Sequence, residues 1–172
     1  MSFLKSIFAG KSDPRDAVRP LWTRIIEISR EREWYGTHGV EDSVSGRFDM
    51  ISAVLSIVLV RLEREGRFGQ EIASLTELFV EDMDGQLREL GINDVVVGKH
   101  MGRLMATLGG RIGAFRDGLN APGNRDLTEA VERNIQLVDE AGAEGTATAL
   151  AKLFAQLEAI DGEKIVVGEI VR

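Results

Sequence analysis

The residue types that could do chemistry are few in this chain and poorly placed for it. His38 and His100 are the only histidines, and there is no cysteine. That removes disulfides, thiolate metal sites and cysteine nucleophiles together. No Ser–His–Asp arrangement can be assembled from what remains. The acidic run Glu81, Asp82, Asp84 invites a cation, but on one helix neighbours at i and i+2 point apart, and Asp84 stands four residues before Arg88 as an ordinary surface pair. Hard cations draw several oxygens from a loop or from several helices. "GKHMGRLMATLGGRIG" offers a lysine and glycines without the G-x-x-x-x-G-K-[ST] spacing, or the preceding strand, of a phosphate loop. A lone histidine can ligate haem axially, yet nothing beside either one selects for haem. The residues predict no catalysis, no metal site and no cofactor.

Two charges stand out by position. "EDSVSGRFDMISAVLSIVLVRLEREG" spans residues 41–66, and its middle is apolar on every side. On a helical wheel Val44, Ile51, Val54, Leu55, Val58 and Leu62 share one arc, while Met50, Ala53, Ile57 and Val60 cover the other. A helix apolar all round is the central member of a bundle. Arg47 falls inside the first arc, and on the next helix Asp82 falls between Leu78 and Phe79. Charged side chains are seldom buried unless paired. Arg47 and an acid such as Asp82 are therefore expected to meet inside the bundle or at its rim. They would form either an ion pair that fixes helix register or a polar notch in a groove that receives a partner.

The elements that would position these residues are helical. Asp13-Pro14 reads as an N-cap with proline at the first helical position, and the first helix is expected to run to about Glu33, with Pro20 kinking or restarting it. "WYGTHGVEDSVSG" reads as a loop ending in a cap at Asp42 or Ser43. The central helix comes next, over about 44–65, and stops at Gly66. Further helices are expected over about 69–90, 95–119, 127–141 and 146–160, with "NAPGNRD" as the clearest break. Gly102, Gly109, Gly110 and Gly113 fall within a predicted helix, where each costs about 1 kcal/mol against alanine; close helix packing or a partner groove would explain them. The tail "EKIVVGEIVR" has β-like character with no partner strand in view. The fold class is all-α, a single-domain bundle of about five to six helices around one very apolar helix.

The bulk numbers agree with a globular domain. At 172 residues, 44% hydrophobic and 28% charged, the chain can bury one core. A net charge of -7 argues against broad nucleic-acid binding, which would need a basic stripe to neutralise phosphates. No run approaches the ~20 apolar residues of a membrane span, and "MSFLKSIFAGK" lacks the core of a secretory signal, so the protein is read as intracellular. Phe3, Leu4, Ile7 and Phe8 gather on one arc of that N-terminal segment. Residues 1–12 are thus an amphipathic piece that is either a weak interfacial membrane contact or a terminus resting on the domain, 13–172.

"WYGTHGVEDSVSGRFDM", "LVRLEREG" and "LFVEDMDGQLRELGINDVVVGKHMGRLM", in that order and spacing, resemble the ubiquinol–cytochrome c chaperone family. The likeness runs from about Trp34 to Leu119. It implies an all-α, non-enzymatic assembly chaperone that binds newly made cytochrome b for the respiratory cytochrome bc complex. The N-terminal amphipath would suit peripheral work at the cytoplasmic face of the inner membrane, and a small assembly partner protein or the ribosome is a further candidate contact. The family pattern falls on Tyr35, Gly39, Asp42, Gly46, Arg47, Phe48, Asp82, Asp84, Arg88 and Lys99. It departs at Glu41, where relatives commonly carry Pro, at Val54 in place of a His, and at Gly109 in place of a Tyr. Met83, Met101 and Met105 would suit either an adaptable apolar groove or the core. A haem- or lipid-binding carrier, or a general interaction scaffold, is the alternative.

Overall fold

The computed structural model describes residues 13–89, 94–139 and 142–172. The Asp13 carboxylate accepts a bond from the Arg15 amide at 3.0 Å and caps a 3-10 turn, Pro14–Val18. Pro20 kinks nothing. It sits in the first turn of a new helix, α1 (Arg19–Ser29), where a missing N–H costs nothing because first-turn amides have no intrahelical acceptor. The expected continuation to Glu33 is replaced by a separate short helix, α2 (Arg32–Gly36). α2 turns Trp34 inward, and the indole N–H donates to the Ile28 carbonyl at 2.7 Å.

The central helix, α3 (Val44–Glu65), is capped by Ser43, whose hydroxyl accepts from the Gly46 amide at 3.1 Å, and ends at Gly66 in the left-handed conformation, φ 69°. Every residue from Asp49 to Leu62 is buried. The cause is its surroundings: α3 packs against α1, α4 (Gly69–Glu89), α5 (Asp94–Asn120) and α7 (Gly142–Glu158). Ser52 and Ser56 survive in this core by donating to carbonyls one turn back, Phe48 and Ser52.

Arg61 is 6% exposed and is fully engaged. Its guanidinium donates to the Leu157 carbonyl at 2.9 Å and the Ile160 carbonyl at 2.8 Å, and pairs with Glu65 at 2.7 Å. It gives the Leu157 carbonyl a second donor beside the Ile160 amide, and the Ile160 carbonyl a charged one, at the negative pole of α7.

α5 and α6 (Arg125–Asn134) form a tight hairpin around Gly123 at φ 82°. A Cβ at Gly118 would lie 2.7 Å from the Leu127 Cα, so close packing is achieved there. Of the two roles expected for Gly102, Gly109, Gly110 and Gly113, close helix packing is not found, for among the described residues each faces open space. The tail is no strand but a short helix, α8 (Gly162–Val166), and a turn that buries Ile165 and Ile170. Among the described residues, the β-pairing is a lone bridge, Val40 to Leu137.

Candidate functional site

That bridge begins the site. Residues 38–41, just ahead of α3, are clipped to the chain that leaves α6. The Gly39 carbonyl accepts from the Val138 amide, and the Glu41 amide donates to the Gln136 carbonyl, both at 2.9 Å. The Thr146 hydroxyl, on α7, donates to the His38 carbonyl at 2.7 Å. Gly39, at φ 84°, lies so close to Gly142 that a Cβ would stand 2.5 Å from the latter's Cα. A Cβ on Gly46 would stand 2.0 Å from the Glu41 carbonyl oxygen. Both glycines therefore shape the entry to α3.

Arg47 is not buried and does not meet Asp82. The first turn of α3 protrudes beyond its neighbours, with Val44 82% exposed, and the buried run begins only at Asp49. Arg47 lies on the surface, its Nε 2.7 Å from Asp42 Oδ1 and its guanidinium 6.0 Å from the Tyr35 ring. The hydrogen bond from Arg47 holds the Asp42 carboxyl below its usual range and raises Arg47 in turn. Tyr35 donates its hydroxyl to the Ser29 carbonyl at 2.8 Å, and burial pushes its phenol upward. Asp82 is half-buried on α4. Desolvation raises its carboxyl, with Arg30 opposing and Glu81 and Glu89 adding to the rise.

The buried pair is a different one. Asp49, 7% exposed, receives Arg111 Nη2 on one oxygen at 2.5 Å and the Gln136 amide on the other at 3.1 Å. The Arg111 guanidinium lies 5.7 Å from the Phe48 ring, which leans on Phe79 at 6.2 Å. Among the described residues, the buried Arg111 Nε and Nη1 find no hydrogen-bond partner.

Above this pair opens a groove of about 1020 Å³, walled by the start of α3, the later part of α4, α5, and the end of α6 with residues 135–136. Phe48, Ile51, Met83 and Ile135 give it an apolar floor. A smaller hollow of about 400 Å³, bounded by Tyr35 and Asp42 among others, adjoins it across Arg30 and Arg47. A further hollow of about 970 Å³ lies between α2 and α7, but its walls are polar, with Glu31, Glu33, Glu144, Lys152 and Arg172 and no large apolar side chain. The first is thus the surface suited to hydrophobic chain.

The family profile described as ubiquinol-cytochrome C chaperone matches residues 37–172, which contain the clip and most of the groove wall. The chain belongs to this family. Among solved structures, the crystal structure of the Cbp3 homolog from Brucella abortus superposes with a TM-score of 0.80 at 28% identity, covering 97% of this chain and 94% of that one. No curated protein matches the chain.

Of the residues that carry the ubiquinol-cytochrome C chaperone resemblance, Tyr35, Asp42, Arg47 and Phe48 gather around the two adjoining hollows. Gly39 and Gly46 set the backbone beneath them. Asp82 and Asp84 line neither hollow. The side chains of Arg88, Lys99 and Met101 lie outside the described residues, as do Phe3, Leu4, Ile7 and Phe8. Met83 is both buried and part of the groove floor, whereas Met105 is exposed. Sequence reasoning missed Asp49, Arg111, Arg30 and Arg133. Asp49 had a signal: an acid at the threshold of an apolar run needs a partner.

Among the described residues no helix is long and apolar enough to cross a membrane. No cluster of three His, Cys, Asp or Glu side chains gathers as a metal site there.

Proposed function

We propose that the protein is a non-enzymatic assembly chaperone that binds newly synthesised cytochrome b and supports assembly of the cytochrome bc complex. The observation that carries this is the family match over residues 37–172. The groove supports it, since a holder of a hydrophobic membrane subunit needs an accessible apolar floor and Met83 gives that floor an adaptable side chain. The family residues Arg47 and Phe48 stand at the groove and are read as part of the client surface. The amphipathic Phe3, Leu4, Ile7 and Phe8 are read as a weak, reversible membrane contact that keeps the protein peripheral at the cytoplasmic face of the inner membrane. A small assembly partner or the ribosome is a further candidate contact; nucleic acid is not.

Affinity capture of the tagged protein from its own cell membranes, with mass spectrometry of what comes down, tests the reading. Cytochrome b is the expected client, and capture of soluble proteins alone would refute it. A Phe3→Asp, Phe8→Asp variant is expected to recover less cytochrome b; undiminished recovery would discard the membrane contact and keep the chaperone.

A further inference from the structure

The chain as a whole is acidic, at -7, yet the walls of its groove are basic. Arg30, Arg32, Arg47, Arg111 and Arg133 surround the two adjoining hollows, against the carboxylates of Asp42, Asp49 and Glu132. Two of those carboxylates are already engaged, Asp42 by Arg47 and Asp49 by Arg111. Among the described residues the side chains of Arg30 and Arg32 make no hydrogen bond or close ion pair, Arg30 acting on the Asp82 carboxyl of α4 only at longer range, and Arg133 Nε donates only to the Glu129 carbonyl of its own helix. Behind them Arg111 has two buried donors without acceptors among the described residues. An excess of cationic over anionic groups beside an apolar floor complements a ligand that is anionic and apolar at once. The groove is concave, which suits an inserted segment of chain rather than a flat bilayer surface.

Resting on the reading of this groove as the client site, we propose that it selects a peptide segment in which a carboxylate stands beside large apolar side chains. The apolar groups cover Phe48, Ile51 and Met83, and the carboxylate is held at the rim by Arg30 and Arg133. Arg111, its charge matched by Asp49, leaves two further N–H groups beneath the floor. Selectivity thus comes from the rim, while the floor accepts any greasy side chain that fits.

Two fluorescein-labelled peptides of equal length, rich in Leu and Phe and differing only by Glu in one for Gln in the other, test this by fluorescence anisotropy with the full-length protein. The Glu peptide is expected to bind about tenfold tighter at low salt, a gap that narrows as salt screens the rim. The exposed double variant Arg30→Gln, Arg133→Gln, which leaves the Asp49–Arg111 pair intact, is expected to bring the two peptides together. Equal binding of both peptides by wild type, or a Glu preference that survives in the double variant, would overturn the proposal. So would binding of phosphatidylglycerol vesicles in place of either peptide, since the arginines would then serve lipid. Membrane capture with the same variant separates the two readings. Cytochrome b recovered equally by wild type and variant overturns the rim selectivity and leaves the chaperone standing. A preserved Glu preference in wild type, with no cytochrome b from either protein, supports the rim and removes the client.

Discussion

Asp49 joins three parts of the chain through one carboxylate: it sits on α3, receives Arg111 of α5 at 2.5 Å, and takes the Gln136 amide beyond α6 at 3.1 Å. Asp49→Asn keeps the shape and removes the charge, leaving Arg111 buried and unpaired. A loss of about 3–5 kcal/mol is expected in urea unfolding. The double variant Asp49→Leu, Arg111→Met is expected to recover much of it, because two apolar residues leave no charge stranded. A double variant no better than Asp49→Asn would contradict this account.

Arg61→Ala is expected to cost about 3 kcal/mol, since charge-assisted bonds contribute roughly 1.5–3 kcal/mol each and the carbonyls of Leu157 and Ile160 both lose a charged donor, Leu157 keeping only the Ile160 amide. Hydrogen exchange should report it locally, as faster exchange in the last turn of α7 with α5 unaffected. Uniform acceleration through the chain would argue against a capping role.

Two glycines predict opposite signs. Gly46→Ala drives a methyl against the Glu41 carbonyl oxygen and is expected to lower the melting temperature sharply and to disturb the groove. Gly109→Ala meets nothing within 4 Å and should stabilise the protein by about 1 kcal/mol through helix propensity alone. Thermal melts of both variants decide the matter.

Arg47→Ala should leave the melting temperature almost unchanged, because the guanidinium is solvated and held by Asp42 and the Tyr35 ring at the surface. Recovery of cytochrome b should nevertheless fall, which thermal melts and membrane capture on the same preparation would separate.

Asp82 predicts a pH dependence. Its carboxyl is raised in the folded protein, chiefly by burial, so the folded state binds the proton more tightly than the unfolded chain. Stability from this group is greatest below the unfolded value and falls as pH rises through the folded one. Asp82→Asn is therefore expected to be more stable than wild type at neutral pH, with the difference closing in acid. A variant less stable at neutral pH would show that the carboxylate has a stabilising partner.

Much of the helical frame was legible because its signals are local. Ser43 and Gly66 bound α3 by cap chemistry that a few residues contain, and the all-apolar wheel required neighbours on several sides. Arg47 was misplaced for a related reason: a wheel gives direction around an axis and says nothing of where flanking helices stop, so a first-turn residue looks like a core one. Asp49–Arg111 and Arg61 with Leu157 join distant parts of the chain, and no spacing rule connects them. The glycines divide likewise. Gly66 announces a helix end, whereas Gly118 and Gly142 matter only because of the backbone that arrives opposite.

The bridge from Val40 to Leu137 also sets a timetable. One wall of the groove, and the clip that fixes its mouth, come from residues synthesised long after α3. A nascent chain halted before α6 would lack the α7 cover of α3, with neither the Asp49 lock to Gln136 nor a finished binding surface. Competence to hold another protein arrives late in this chain's own translation, once residues 135–138 have cleared the ribosome and closed a long loop.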